Sequence, residues 1–230
     1  MELAWDSVLL KKKIGRLSQV PSEKNLRKLI QKAYSDGYDY LSCRIIAEKM
    51  SHLQLLEKNG FYMTDIGAVW EKKIEKIQGP AVPVKSATKE DISELKSMVK
   101  GLFKCSRFYN DPFFTDKEAE KIYETWIENA LPSKKCGIFL VEEKGFITCK
   151  KLFKKKGDIA LIGVIPGEQD KGIGYSLICK AFEWFHEMGV DTVTVRTQAT
   201  NIKAMNFYRR LNFKLKYLDC TMGMILKNKE

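Results

Sequence analysis

Six residues, Gln169-Asp170-Lys171-Gly172-Ile173-Gly174, have the composition of a phosphate-binding turn. They lead into Tyr175 to Met188, where Leu177, Ile178, Ala181, Phe182, Phe185 and Met188 recur at helical spacing and Gly189 closes the run. The first turn of a helix carries backbone N–H groups without intrahelical partners and roughly half a positive charge. Glycine at 172 and 174 lets a diphosphate approach without a Cβ in the way, and Lys171 adds a full charge. The spacing fits neither G-x-x-x-x-G-K-[ST] nor G-x-G-x-x-G, since position 177 is leucine. A helix entered through a flexible turn is the alternative reading of the same residues. A second chemical candidate lies downstream, where Asn201, Ala204, Met205 and Tyr208 share one helical face. Asn201 and Tyr208 are separated by roughly 10 Å along that helix, so one extended ligand could meet both.

The elements that must position these groups read as strand, loop, helix, strand, helix, strand. Ile159 to Ile165 is an apolar, β-branched run, so it predicts a buried strand before the loop. Thr192 to Thr197 alternates as a strand, and Phe213 to Leu218 resumes one after the second helix. Gly163 inside the first strand predicts a bulge that frees backbone N–H groups around Val164 and Ile165 to meet an oxyanion.

Together, V-I-P-G-E-Q-D-K-G-I-G-Y and V-R-T-Q-A-T-N-I-K-A-M-N-F-Y-R-R-L-N-F resemble the acetyl-CoA-binding core of the GCN5-related N-acetyltransferases (GNAT). The combination Q-x-x-G-x-G, strand, N-x-x-A-x-x-x-Y carries the likeness. It implies an α+β GNAT acyl-CoA N-acyltransferase fold, a mixed central sheet flanked by helices, with acetyl-CoA as co-substrate and no metal. The coenzyme would meet Ile162, Gly163, Val164, Gln169, Asp170, Lys171, Gly172, Ile173, Gly174, Tyr175 and Asn201, its pantetheine arm adding to the 159–165 strand like a neighbouring strand. Asn201 is also a natural helix N-cap, and the two roles are compatible.

Before this core the chain divides. Residues 1–79 form a small N-terminal α/β lobe: a helical face at Leu26, Leu29, Ile30, Ala33 and Tyr34, a strand at 40–46, a helix at 47–58 and a strand at 61–74. Gly79, Pro80 and Pro83 mark a boundary, and 80–230 is the expected catalytic domain. Its first elements are a short strand at Val82 and Val84, a helix from Thr88-Lys89-Glu90-Asp91 to about Phe103, and a helix from Thr115 through Leu131, both opened by capping boxes. A hairpin follows, 137–142 with 146–152. The loop Ser106-Arg107-Phe108-Tyr109-Asn110-Asp111-Pro112-Phe113-Phe114 reads either as a hydrophobic plug or as a lid in which Arg107 grips a phosphate and Phe108 or Tyr109 stacks on a ring.

Within GNAT, the bacterial TDP-fucosamine acetyltransferases resemble nearly the whole chain. The likeness rests on Gly60-Phe61 before a strand, the S-R-F-x-x-D-P-x-F loop at 106–114 and Trp126-Ile127-Glu128-Asn129. The start departs from it: Trp5-Asp6-Ser7-Val8-Leu9-Leu10-Lys11 lacks the branch's two aromatics and glycine. The resemblance implies N-acetyl transfer to a primary amine of a nucleotide-linked amino sugar, with Asp65 facing the sugar and Tyr208 as general acid. With thiol and phenol pKa values of about 8.5 and 10, proton donation to the leaving sulfur is uphill by roughly 2 kcal/mol. Other acceptors, a protein N-terminus, a lysine or an RNA-bound amine, remain open, as does a non-catalytic acyl-CoA-sensing module. The family is often homodimeric.

Composition sets the frame. The 230 residues carry 40 Lys and Arg against 29 Asp and Glu, a net charge of +11, which favours an anionic partner. Only Lys150-Lys151 and Lys154-Lys155-Lys156 cluster, as a solvated hairpin turn would, and no nucleic-acid-reading signature accompanies them. Six scattered cysteines and two histidines suggest neither a zinc site nor a disulfide framework. No apolar run reaches the roughly 18 residues of a membrane span and no leader pattern is evident, so a cytoplasmic enzyme with no membrane and no nucleic-acid partner is expected.

Overall fold

A computed structural model describes residues 3–74, 79–130 and 135–226. Its nine strands form one mixed sheet. They are β1 (Ile14–Leu17), β2 (Tyr40–Ile46), β3 (Tyr62–Lys73), β4 (Lys85–Ser86), β5 (Cys136–Val141), β6 (Gly145–Lys151), β7 (Lys156–Val164), β8 (Thr192–Gln198) and β9 (Lys214–Ile225). The spatial order is β1-β2-β9-β3-β8-β7-β6-β5-β4. The first three strands are joined into the sheet through β9, and β3 lies between β9 and β8.

The two faces differ sharply because the pleat alternates side chains. On one face β1, β2 and β9 place Leu17, Leu41, Cys43 and Met222 in a core with Leu26, Leu53 and Leu56 from α2 (Glu23–Ser35) and α3 (Met50–Lys58). Farther along it, Ala68, Trp70, Val193, Val195 and Ile159 pack under α7 (Ile173–Glu187) and α8 (Ile202–Arg210). The opposite face is covered by α1 (Ala4–Leu10), α4 (Ile92–Val99), α5 (Arg107–Asn110) and α6 (Asp116–Ala130), and its core is aromatic: Tyr40, Phe108, Phe113, Phe114, Tyr123 and Phe146.

Both capping boxes form. Thr88 N–H and hydroxyl both donate to Asp91 at 2.8 and 3.0 Å, and Thr115 N–H donates to Glu118 at 2.9 Å. Several expected boundaries move. The first helix of the second part begins as a 3₁₀ turn and stops at Val99, and the 106–114 loop contains α5. The short strand falls at Lys85–Ser86 instead of Val82 and Val84, whose side chains pack instead beside the α7 core. Leu131, the expected end of α6, lies outside the described residues.

The feature that makes a site is a parting of strands. β7 and β8 pair in parallel only from Lys156↔Thr192 to Ile159↔Val195. Beyond that, β7 stays with β6 through Val164 and β8 stays with β3 through Gln198, so the two diverge. The cause is local. Between Thr148↔Leu161 and Cys149↔Ile159 the register slips by one residue, leaving Ala160 as a bulge that turns β7 away.

Candidate active site

The expected bulge at Gly163 is therefore at Ala160. Gly163 pairs regularly with Phe146, and a Cβ there would stand 2.8 Å from Leu102 Cδ1, so the Leu102 side chain would have to shift. The expected donors also change. Ile165 N–H is taken by Lys144 O at 2.9 Å. Antiparallel alternation then turns Gly163 toward β6 and leaves Ile162 and Val164 with backbone groups facing the open gap. That edge can accept an extended chain as a further strand.

Beside it, Asp170 and Gly172 both adopt positive φ, 64° and 79°, turning the chain into α7. Ser176 is the first residue whose N–H reaches back to Gly172 O, at 3.0 Å, so the amides of Ile173 and Gly174 precede the first intrahelical bond. The Ile173 side chain is buried beneath the loop. A cleft of about 440 Å³ runs from this turn along the open β7 edge, lined by Ile162, Gly163, Val164, Gln169, Asp170, Gly172, Gly174, Tyr175 and Asn201 among the expected residues. Lys171 is outside its lining and pairs with Glu168 at 3.0 Å. The cations in the lining are Lys203 and Arg210, with Phe207 between them. Their i, i+4, i+7 spacing on α8 was the signal for them. Lys203 Nζ also ties down the loop, donating to Gln169 Oε1 at 2.6 Å and meeting Asp170 at 3.1 Å.

Gln169 Nε2 donates to Val164 O at 3.0 Å. Asn201 caps α8, its Oδ1 accepting from Ala204 N–H at 3.0 Å, and its side chain lies between two clefts. The second cleft, about 420 Å³, opens on the α5 side of the sheet. Phe103, Ile162, Asn201, Ala204 and Tyr208 line both. Tyr208 packs on the α8 side against Trp70, with ring centroids 6.5 Å apart, and reaches the junction because the intervening strands have parted. It is 3% exposed, and burial pushes its phenol well up, so it stays protonated.

A row of charge floors the second cleft. Register places Arg16 opposite Ser42, Arg44 opposite Thr221, Asp219 opposite Gly67, and Asp158 opposite Thr194, all on one face. Arg196 extends from β8 across β3 to β9. Its Nη2 donates to Asp65 at 2.8 Å and to Asp219 at 2.6 Å, and its Nε donates to both Asp219 oxygens at 3.0 and 3.1 Å. Gly67 permits this, because a Cβ there would fall 2.1 Å from Arg196 Nη2. Asp65, which the resemblance places toward the sugar, is buried in the lining of this cleft with Oδ2 held by an arginine. Asp158, one residue before the predicted Ile159 strand, lines it too. It accepts from Thr194 Oγ1 at 3.1 Å, and burial raises its carboxyl above the ordinary range.

Of the loop residues, Arg107 lines this cleft, its guanidinium 4.2 Å from the Phe108 ring centre. Phe108 forms part of the wall while packing edge-on against Phe114, Tyr123 and Trp126. Tyr109 is outside the lining and stacks on Tyr123 at 6.5 Å. The loop is pinned by Asp111, 1% exposed, which accepts from the hydroxyls of Tyr40 and of Tyr62, the latter at 2.8 Å. Among the described residues no three His, Cys, Asp or Glu side chains gather as a metal site, and no helix is long and apolar enough to cross a membrane.

An opened strand edge beside a helix N-terminus, with a phenol at the junction to a second cleft, is the geometry of an acyl-CoA-dependent transferase. The comparisons with known proteins agree. The profile of the acetyltransferase (GNAT) family matches residues 102–213. Spore coat polysaccharide biosynthesis protein SpsD of Bacillus subtilis (strain 168) is 22% identical over 227 residues, covering 91% of this chain and 76% of its own. The dTDP-fucosamine acetyltransferase of Escherichia coli O6:H1 is 25% identical over 174 residues, covering 73% and 74%. Among solved structures, a GCN5-related N-acetyltransferase from Sphaerobacter thermophilus superposes with a TM-score of 0.58 at 18% identity, covering 83% of this chain and 61% of that one. These findings make residues 102–213 a GNAT domain and support an acetyl-CoA-dependent N-acetyltransferase.

Proposed function

We propose that this enzyme acetylates the primary amine of a nucleotide-linked amino sugar by direct attack in a ternary complex. The observation that carries the reading is the pair of clefts meeting at Tyr208. One presents an open strand edge and a helix N-terminus, which fit an extended arm and a diphosphate. The other is walled by residues from both 1–79 and 80–230, which we read as the acceptor side, with the small lobe completing the pocket. The names of two relatives, one a polysaccharide biosynthesis protein and one a dTDP-fucosamine acetyltransferase, support a sugar amine as the acceptor.

When bound, acetyl-CoA supplies the activated thioester. The chain's own groups do the rest. Ile162 and Val164 offer backbone hydrogen bonds along the gap, and Asn201 stands where the two clefts meet. Tyr208 holds its proton on Oη at the junction, so its contribution is a hydrogen bond to developing negative charge at the leaving sulfur. The amine must shed a proton toward a carboxylate. Asp65 was the candidate from sequence; with its Oδ2 on Arg196, we assign it to holding that arginine and assign proton acceptance to Asp158.

An acceptor panel tests the function. With acetyl-CoA, turnover is expected on nucleotide-linked amino sugars and little on peptides, lysine or polyamines. Equal turnover on peptide amines would sink the sugar assignment, and coenzyme binding with no turnover on any amine would make the chain a sensor.

A further inference from the structure

We propose that Arg16 and Arg107, backed by Arg44, form an anion-binding site in the acceptor cleft that takes a phosphate-type group of the acceptor. The inference rests on the acetyl-transfer reading only for which cleft the acceptor enters.

The cleft gathers guanidinium groups from separate parts of the chain: Arg16 on β1, Arg44 on β2, Arg107 on α5 and Arg196 on β8. An arginine does not escape like-charged neighbours by losing its proton, so such a cluster needs countercharge. Arg196 has it, in Asp65 and Asp219. Arg44 has a share: Nε lies 3.3 Å from Thr221 Oγ1 and 3.8 Å from Asp219. The Arg16 and Arg107 side chains make no ion pair and no hydrogen bond among the described residues; the one bond at Arg107 is from Asp111 N–H to its backbone carbonyl. The remaining carboxylates form no close ion pair with either side chain: Asp158 accepts from Thr194, and Asp6 and Asp219 act on Arg16 only at longer range. Burial and neighbouring arginines depress both Arg16 and Arg44, the latter to about 10, as expected of cations crowded together without a full complement of anions.

The two unpaired groups come from different ends of the fold, yet each is set in place. Arg16 belongs to a strand in register with Ser42 of β2. Arg107 opens a helix whose far end is pinned through Asp111 to Tyr40 and Tyr62. Two planar donor forks around one half-enclosed cleft match a phosphoryl or diphosphoryl group, which each can grip in bidentate fashion. They also oppose cationic acceptors such as polyamines.

The test separates this site from the coenzyme's own phosphates by keeping the protein saturated with coenzyme A. Calorimetric titration with inorganic pyrophosphate and with thymidine diphosphate should show binding, weakened at least about tenfold in Arg16→Gln and in Arg107→Gln. Lys28→Gln, which removes an exposed positive charge on α2, should bind as wild type does. Arg16→Lys should recover only part, because charge returns without the fork. Binding of both probes identifies the phosphoryl group as the feature recognised; binding of thymidine diphosphate alone assigns the nucleotide a share and still requires the arginines. No binding by coenzyme-saturated wild type, or unchanged binding in both glutamine variants, overturns the proposal. Acetyl transfer to an amine is measured separately: turnover without anion binding overturns the arginine site alone, and anion binding without turnover supports the site while removing the transferase reading.

Discussion

The two clefts enclose similar volumes, about 440 and 420 Å³, and share five residues, but the chain makes them in different ways. All of the cleft we assign to the coenzyme except Leu102 and Phe103 comes from residues 162–210, one strand-loop-helix-strand-helix run. The cleft we assign to the acceptor is collected from α1, β1, β2, β3, α5, α6, β7, β8 and α8, and its charged row exists only because six strands are in register. A site held by local geometry can be altered piece by piece. A site held by a sheet responds as a network.

Tyr208 belongs to both, so its loss should show the largest effect. Tyr208→Phe keeps the ring packed on Trp70 and Phe213 and removes only Oη. We expect kcat to fall by about 10²- to 10⁴-fold with coenzyme affinity unchanged. Wild-type turnover would remove the phenol from the chemistry and leave the junction a passage only.

Asp158 comes next and divides the clefts. Asp158→Asn should lower kcat by about 10²-fold, and Asp65→Asn should act mainly on acceptor KM through Arg196. The pH profile gives a second reading. A base must be deprotonated, and burial raises the Asp158 carboxyl, so wild-type kcat/KM should decline as pH falls through that raised value. The decline should vanish in Asp158→Asn, and its persistence there, with loss in Asp65→Asn, would exchange the two roles.

Gly67→Ala probes the sheet-built cleft without touching a charged group. The new Cβ must push Arg196 off Asp65 and Asp219, exposing buried carboxylates to the loss of their partner, at roughly 3 kcal/mol of unfolding free energy. Acceptor KM should rise about tenfold while coenzyme affinity holds. Equal loss in both clefts would show that they share one frame.

The same contrast explains what could be read in advance. The Gln169 to Gly174 turn, the Asn201 cap and Tyr208 are legible because helix periodicity and glycine placement act over a few residues. Lys203 and Arg210 were open to the same reasoning, since they recur on the α8 face beside Tyr208. The Ala160 bulge has no composition of its own: it is set by how Thr148 faces Leu161 across β6 and β7, where Leu161 N–H donates to Thr148 Oγ1 at 3.0 Å. The Arg16, Arg44 and Asp219 row was illegible for a related reason. Adjacent strands there are as distant in sequence as Arg44 and Thr221, and only pairing registers them.

The smallest expected effect lies in the locally built cleft. Lys203 is exposed, and it meets Asp170 at 3.1 Å while steadying Gln169. In Lys203→Ala the loop keeps its turn, because Asp170 and Gly172 set it through their own positive φ and Gln169 still has Val164 O. What goes is one screened charge beside the α7 N-terminus, worth about 0.2–1 kcal/mol at such a position. Coenzyme A should therefore bind about two- to fivefold more weakly by calorimetry at low salt, and the gap between mutant and wild type should close as ionic strength rises. Acceptor KM should not move. A matching rise in acceptor KM would mean that the loop over α7 also shapes the second cleft, and the division between a local cleft and an assembled one would fail at this helix.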